Sequence, residues 1–246
     1  MAPVGTEGAD QDLPARSAVW RTVYTASEQV RSRFQVGPIV GPKGVPVASA
    51  ANPPDSPTWQ LVEALCFLGV LLRAQQAIAP RIQLFGKSGP VEIVEDGISR
   101  HLWTQPSLQG ERSALGGRPD LVVTSTAEAP HPGNALRIIE AKCVRGLDAP
   151  TLRSEFGKAH DLRVVTYFIW SFYTPPKRIV DGARGLGIDL HALGLDSEWR
   201  KEFLRDPELL VAHVANAQSE ARSAARFAKA LEAAGRDAGG KVVRSR

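Results

Sequence analysis

Between Ser56 and Pro80 the chain is apolar on nearly every side. TWQLVEALCFLGVLLRAQQAIA holds few charges, and Ser56 followed by Pro57 supplies an N-cap and a first-turn proline. The pattern predicts a helix ending at Pro80, lying deep in the fold because it has no broad polar face to turn to water. Upstream, Val19, Trp20, Val23, Val30 and Phe34 predict a shorter helix over 17–34. The stretch between them, QVGPIVGPKGVPVASAANPPDSP, is dense in Pro and Gly and reads as an irregular connection. Residues 1–16 carry too little apolar surface to offset the entropy of ordering, and are expected to be disordered.

Downstream the period changes. RIQLF, VEIVED and RHLWTQ are β-like pieces of undecided register, and PDLVVTS pairs with ALRIIEAKCV as a hairpin across the polar, Pro-containing loop TAEAPHPGN. APTLRSEFGKAHDL then predicts a helix with Leu152, Phe156, Ala159 and Arg163 on one stripe. RVVTYFIWSFY follows, continuous in apolar and aromatic residues, and reads as a buried strand whose aromatics serve the core rather than stack on bases. PPKRIVDGARGLGIDLHAL suggests a helix and a short returning segment, and the Ala-, Arg- and Glu-rich tail over 197–234 a last helix. The expected class is α/β: a disordered 1–16, a helix and connection over 17–56, a core over 57–195 and a helical extension over 196–246.

With 246 residues, 43% hydrophobic and 23% charged, the chain suits one α/β core. A net charge of +4 and a pI near 9.3 suit an anionic partner, but fall short of an architectural DNA-binding protein. Cys66 and Cys143 form neither a disulfide framework nor a metal-ligand pattern. The acidic, turn-rich start does not resemble a secretory signal. The longest apolar stretch, Leu61–Leu72, is too short to span a bilayer and contains Glu63. A cytoplasmic protein without a membrane partner is the expectation.

The chemistry concentrates in the hairpin. Asp120 begins one strand and Glu140 stands near the end of the other, so antiparallel pairing brings both carboxylates to one end of the sheet. Glu140 and Lys142, two residues apart, share a face, while Ala141 points the other way. Two carboxylates suit a hard divalent cation, and an adjacent ammonium can stabilise developing negative charge.

Gly117-Arg118-Pro119-Asp120, an apolar strand, a loop and Ile138-Ile139-Glu140-Ala141-Lys142 resemble the signature of the PD-(D/E)XK nuclease superfamily. The resemblance spans residues 57–172. It implies a restriction-endonuclease-like core of helix, three-stranded antiparallel meander, helix and further strand, with extra N- and C-terminal helices. It implies Asp120 and Glu140 as ligands of Mg²⁺ or Mn²⁺ and Lys142 as the catalytic lysine. Glu63, the one carboxylate of the apolar helix, matches an additional acidic residue that such proteins often carry, as a third ligand; a favourable place near the helix N-terminus is the competing reading. Lys158, His160 and Arg118 are candidate nucleic-acid contacts. On a helical wheel Lys158 falls away from the Leu152–Phe156 stripe, as a solvated residue also would.

The expected activity is metal-dependent hydrolysis of DNA phosphodiesters by an endonuclease of restriction, defence, repair or recombination. A homodimer or one subunit of a larger nucleic-acid-processing complex fits such an activity. The alternative is a non-catalytic nucleic-acid-binding or assembly module on the same fold. Nothing in the pattern identifies a base-reading element.

Overall fold

The computed structural model describes residues 13–47, 58–106, 118–143, 146–164, 166–171, 173–192, 208–209 and 211–212. In chain order these form α1 (Leu13–Arg33), β1 (Gln35–Val36), β2 (Ile39–Val40), a 3₁₀ turn (Pro42–Gly44), α2 (Thr58–Arg73), β3 (Gln76–Ala79) and β4 (Ile82–Gln83). There follow β5 (Ser88–Glu95), β6 (Ile98–Thr104), β7 (Leu121–Thr124), β8 (Ala135–Lys142), α3 (Ala149–Leu162), β9 (Thr166–Ser171), α4 (Lys177–Gly185) and β10 (Asp189–Ala192). Eight strands join one mixed sheet in the order β1-β3-β5-β6-β7-β8-β9-β10, and β2 pairs with β4 separately. The class is α/β, as the periodicity predicts.

Alternation along the strands divides the interior in two. Leu102, Leu121, Val123, Ile139, Phe168 and Trp170 face a core shared with α1 and α2. Val122, Ile138, Tyr167 and Ile169 face a second core with Leu152 and Ala159 of α3 and Ile179 and Ala183 of α4. The result is a sheet between two helical layers. In α1, Thr22 and Ser27 are buried without penalty because each hydroxyl donates to the carbonyl one turn back, Ala18 and Val23.

Several expectations need correction. The first helix starts at Leu13, inside the segment expected to be disordered, and belongs to the main core rather than preceding it. The Pro/Gly-rich connection is only partly irregular: β1 runs parallel to β3 and β2 parallel to β4. Gly37 between them is required by close approach, since a Cβ there would lie 1.8 Å from the Pro80 carbonyl oxygen.

The second helix stops at Arg73 instead of Pro80. Ala74 N–H still bonds back to Val70 and Leu71, but Gln75 N–H donates to Val94 and QAIA joins the sheet with alternating burial. Sheet pairing overrides the helical propensity of that stretch, and the Arg33 guanidinium donates to the Leu72 carbonyl at the vacated helix end. The antiparallel meander is accordingly longer than three strands, running from β3 through β5, β6 and β7 to β8. Its β5–β6 turn carries Asp96 and Gly97 in left-handed backbone, the geometry a tight hairpin demands.

Other elements agree with the pattern. α3 spans the segment APTLRSEFGKAHDL, capped by the Asp148 carboxylate, which accepts from Thr151 N–H and Oγ1. Its stripe ends before Arg163, which is exposed in left-handed backbone as the C-cap. Tyr167, Phe168 and Trp170 are fully buried in β9, so the aromatic strand serves the core. The predicted C-terminal helix lies outside the described residues, apart from helical backbone at 208–209 and 211–212.

Candidate functional site

The site grows out of the β7–β8 register. Leu121 stands opposite Ile139, so the residue before one and the residue after the other, Asp120 and Glu140, meet at the strand ends. Asp120 Oδ2 accepts from the Ala141 backbone N–H at 2.7 Å, which pins the carboxylate against β8. Its backbone carbonyl accepts from Gln105 N–H at 2.8 Å. Gln105 lies in left-handed backbone, φ 41, just past β6. Its amide Nε2 donates to Glu63 Oε2 at 2.9 Å, tying the half-buried α2 carboxylate to the same strand ends. Asp120 lies within hydrogen-bond reach of the carboxyls of both Glu63 and Glu140.

Behind these carboxyls charges alternate. Lys142 Nζ lies 2.8 Å from Glu140 Oε2 and 2.9 Å from Glu155 Oε1. Lys158 Nζ lies 3.2 Å from Glu140 Oε1 and 2.8 Å from Glu155 Oε2. Tyr167 Oη donates to Glu155 Oε2 at 2.6 Å. Parallel pairing of β8 with β9 sets Tyr167 beside Ile138, on the face that Glu140 and Lys142 share toward α3. Glu140 and Glu155 are almost wholly buried.

The energetics of this cluster follow from burial without full compensation. Burial, then the charge of Glu63, raises the Asp120 pKa to about 6, although the Ala141 N–H opposes it. Glu140 is pushed up to about 8 by burial and by Asp120, even with two ammonium groups against it. Glu63 is raised as well, chiefly by burial. Glu155 runs the other way: burial would raise it, but Lys142 and Lys158 together hold it below the ordinary carboxylate range. Burial would lower Lys142, yet Glu140 and Glu155 outweigh it and raise its pKa. Glu155 is the second carboxylate partner of both lysines, so neither ammonium depends on Glu140 alone. Counted as ions, Glu63, Asp120, Glu140 and Glu155 exceed the two lysines by two negative charges.

No family model, curated protein or solved structure matches this chain.

The fold brings together Asp120, Glu140, Lys142 and Glu63, and Lys158 joins them. Lys158 is not a solvated residue: it is held between Glu140 and Glu155. His160 is half-buried two positions further along α3, a spacing that does not share a helical face with Lys158. Arg118 is exposed beside buried Pro119. Glu155, Gln105 and Tyr167 escaped the reading of the sequence. A signal for Glu155 existed, since it occupies the buried stripe of α3 with Leu152 and Ala159, where a carboxylate needs a counter-ion. Gln105 gave none.

As to a metal, no three His, Cys, Asp or Glu side chains among the described residues are gathered closely enough to hold an ion as they stand. The donor chemistry nevertheless fits a hard dication. Asp120 and Glu140 offer adjacent oxygen ligands whose pKa values are raised partly by neighbouring negative charge, and Mg²⁺ requires only one or two carboxylates with water completing its shell.

Proposed function

We propose that this chain is a Mg²⁺- or Mn²⁺-dependent DNA nuclease of the PD-(D/E)XK type, an endonuclease that hydrolyses phosphodiesters in restriction, defence, repair or recombination. The observation that carries this reading is the meeting of Asp120, Glu140 and Lys142 at one pair of strand ends, with negative charge in excess. The succession of α2, an antiparallel meander, α3 and a parallel β9 supports a restriction-endonuclease-like core.

In this reading Asp120 and Glu140 hold the cation, with Glu63 presented to it by Gln105. The bound cation supplies charge neutralisation at the scissile phosphate and acidifies a water. Ala141 N–H fixes the Asp120 carboxylate so that its other oxygen stays available. Lys142 keeps its proton because Glu140 and Glu155 surround it, and it offers that fixed positive charge to the oxygen on which negative charge develops. The basic surface balance, with exposed Arg118 nearby in sequence, suits a polyanion.

The test is incubation of the full chain with closed-circular, linear and single-stranded DNA, and with RNA, in Mg²⁺ or Mn²⁺ and in EDTA. Cutting of closed circles only with metal is the expected result. Binding of DNA that stays intact under every condition would instead favour a non-catalytic nucleic-acid module.

The raised carboxyls carry a pH signature. Asp120 and Glu140 bind protons more tightly in the folded chain than in the unfolded one, so between about pH 4 and about pH 8 the native state holds more protons. Stability in EDTA should therefore fall as pH rises from about 5 to about 8. Mg²⁺ should flatten the fall, because the cation removes the repulsion that causes it. Cation affinity should rise over the same interval, with protons released in calorimetry. Thermal unfolding in EDTA that is flat or rising with pH would contradict these carboxyl assignments.

A further inference from the structure

In the closed ring of Glu140, Lys142, Glu155 and Lys158, each ammonium is shared between two carboxylates. If Glu140 is to take a dication, two positive charges must leave it. We infer that Glu155, anchored by the Tyr167 hydroxyl, is a positioning residue: a resident counter-ion onto which Lys142 and Lys158 withdraw when a divalent cation engages Asp120 and Glu140. The inference rests on the nuclease-type reading of those two carboxyls.

The geometry favours this direction of exchange. Glu155 accepts from Lys142, Lys158 and Tyr167, at 2.9, 2.8 and 2.6 Å. Lys158 lies one turn along from Glu155 on α3 and travels with it, whereas its contact to Glu140 is the longest of the four at 3.2 Å. Tyr167 is fully buried in β9 between the sheet and α3, so its hydroxyl holds Glu155 in place. A dication attracts Glu140 more strongly than an ammonium at similar distance. The displaced ammonium groups remain in a buried region, where losing every partner would be costly. Glu155 meets them there without side-chain travel of its own.

Mn²⁺ affinity of the full chain, measured by calorimetry or electron paramagnetic resonance at constant pH, tests this. Glu155→Gln should weaken binding about tenfold or more, as for outer residues that orient metal ligands. Lys158→Met should tighten it, since one competitor for Glu140 is gone. Tyr167→Phe changes no charge at neutral pH and keeps the ring in the core, yet should also weaken binding, about threefold, by loosening Glu155. A general electrostatic effect would leave Tyr167→Phe at the wild-type value, and that result overturns the inference, as does undiminished binding by Glu155→Gln. Should Glu155→Gln fail to fold by circular dichroism, Tyr167→Phe decides alone. Wild-type protein that binds no Mn²⁺, or Asp120→Asn that binds it equally well, overturns the nuclease-type reading and this inference with it. Wild-type binding that Asp120→Asn abolishes but Glu155→Gln and Tyr167→Phe leave unchanged overturns the inference alone.

Discussion

Lys142→Met is expected to lower metal-dependent DNA cutting by about a hundredfold to a thousandfold, and Asp120→Asn by at least as much, with both chains still folded. The magnitude follows from the role assigned to each. Lys142 is a positive charge that Glu155 keeps beside the site, and removing one preorganised electrostatic partner typically costs about 10²–10³ in rate. Asp120 binds the cation on which the whole chemistry depends, so its loss should cost no less. The substitutions are chosen to separate chemistry from folding. Asn retains an oxygen to accept the Ala141 N–H at the pinned position, and Met keeps the lysine stem's packing. Asp120→Asn should even raise the unfolding temperature in EDTA, because its carboxylate is buried among Glu63 and Glu140 at an unfavourable charge. Lys142→Arg should not rescue cutting, since the planar guanidinium fork does not reproduce a compact ammonium shared by two buried carboxylates. Cutting that survives in both variants would place the activity elsewhere.

What the sequence reveals about this site divides along the range of the interactions. The β7–β8 hairpin, the alternation of Glu140 and Lys142, the extent of α3 and the burial of β9 all follow from patterns inside one or two neighbouring segments, and the fold reproduces them. Choices made across long separations were not legible. Gln105 reaches Glu63 across 42 residues, through a left-handed backbone that no local turn signal announces. Lys158 reaches back 18 residues to Glu140, and the helical wheel misplaces it because it judges faces by apolar residues alone. Here the buried face of α3 is itself partly ionic. The same blindness carried the predicted helix past its real end: Gln76–Ala79 looks helical until β5 offers it hydrogen bonds.

A second ion pair was equally hidden, and it governs stability rather than chemistry. Arg137 lies on β8, on the face opposite Glu140, and donates to Glu95 across 42 residues of sequence at 2.8 Å. Arg100 meets the other Glu95 oxygen at 3.2 Å. Arg137 and Glu95 are 8% and 9% exposed, so neither can be rehydrated cheaply if its partner is lost. Arg137→Met leaves Glu95 with Arg100 alone, so it should destabilise the chain by about 1–3 kcal/mol, less than the complete stranding of a buried charge costs. Replacing both members tells whether that cost is the pair's own contribution or the penalty of the orphan. Glu95→Leu with Arg137→Met fills the space without charge and leaves only Arg100, whose side chain is 26% exposed and can turn to water. The double variant should recover most of the loss, so the two substitutions should be strongly non-additive in denaturant unfolding. A double variant as unstable as the sum of the singles would mean that the pair itself, not the avoidance of a lone buried charge, holds this end of the sheet together.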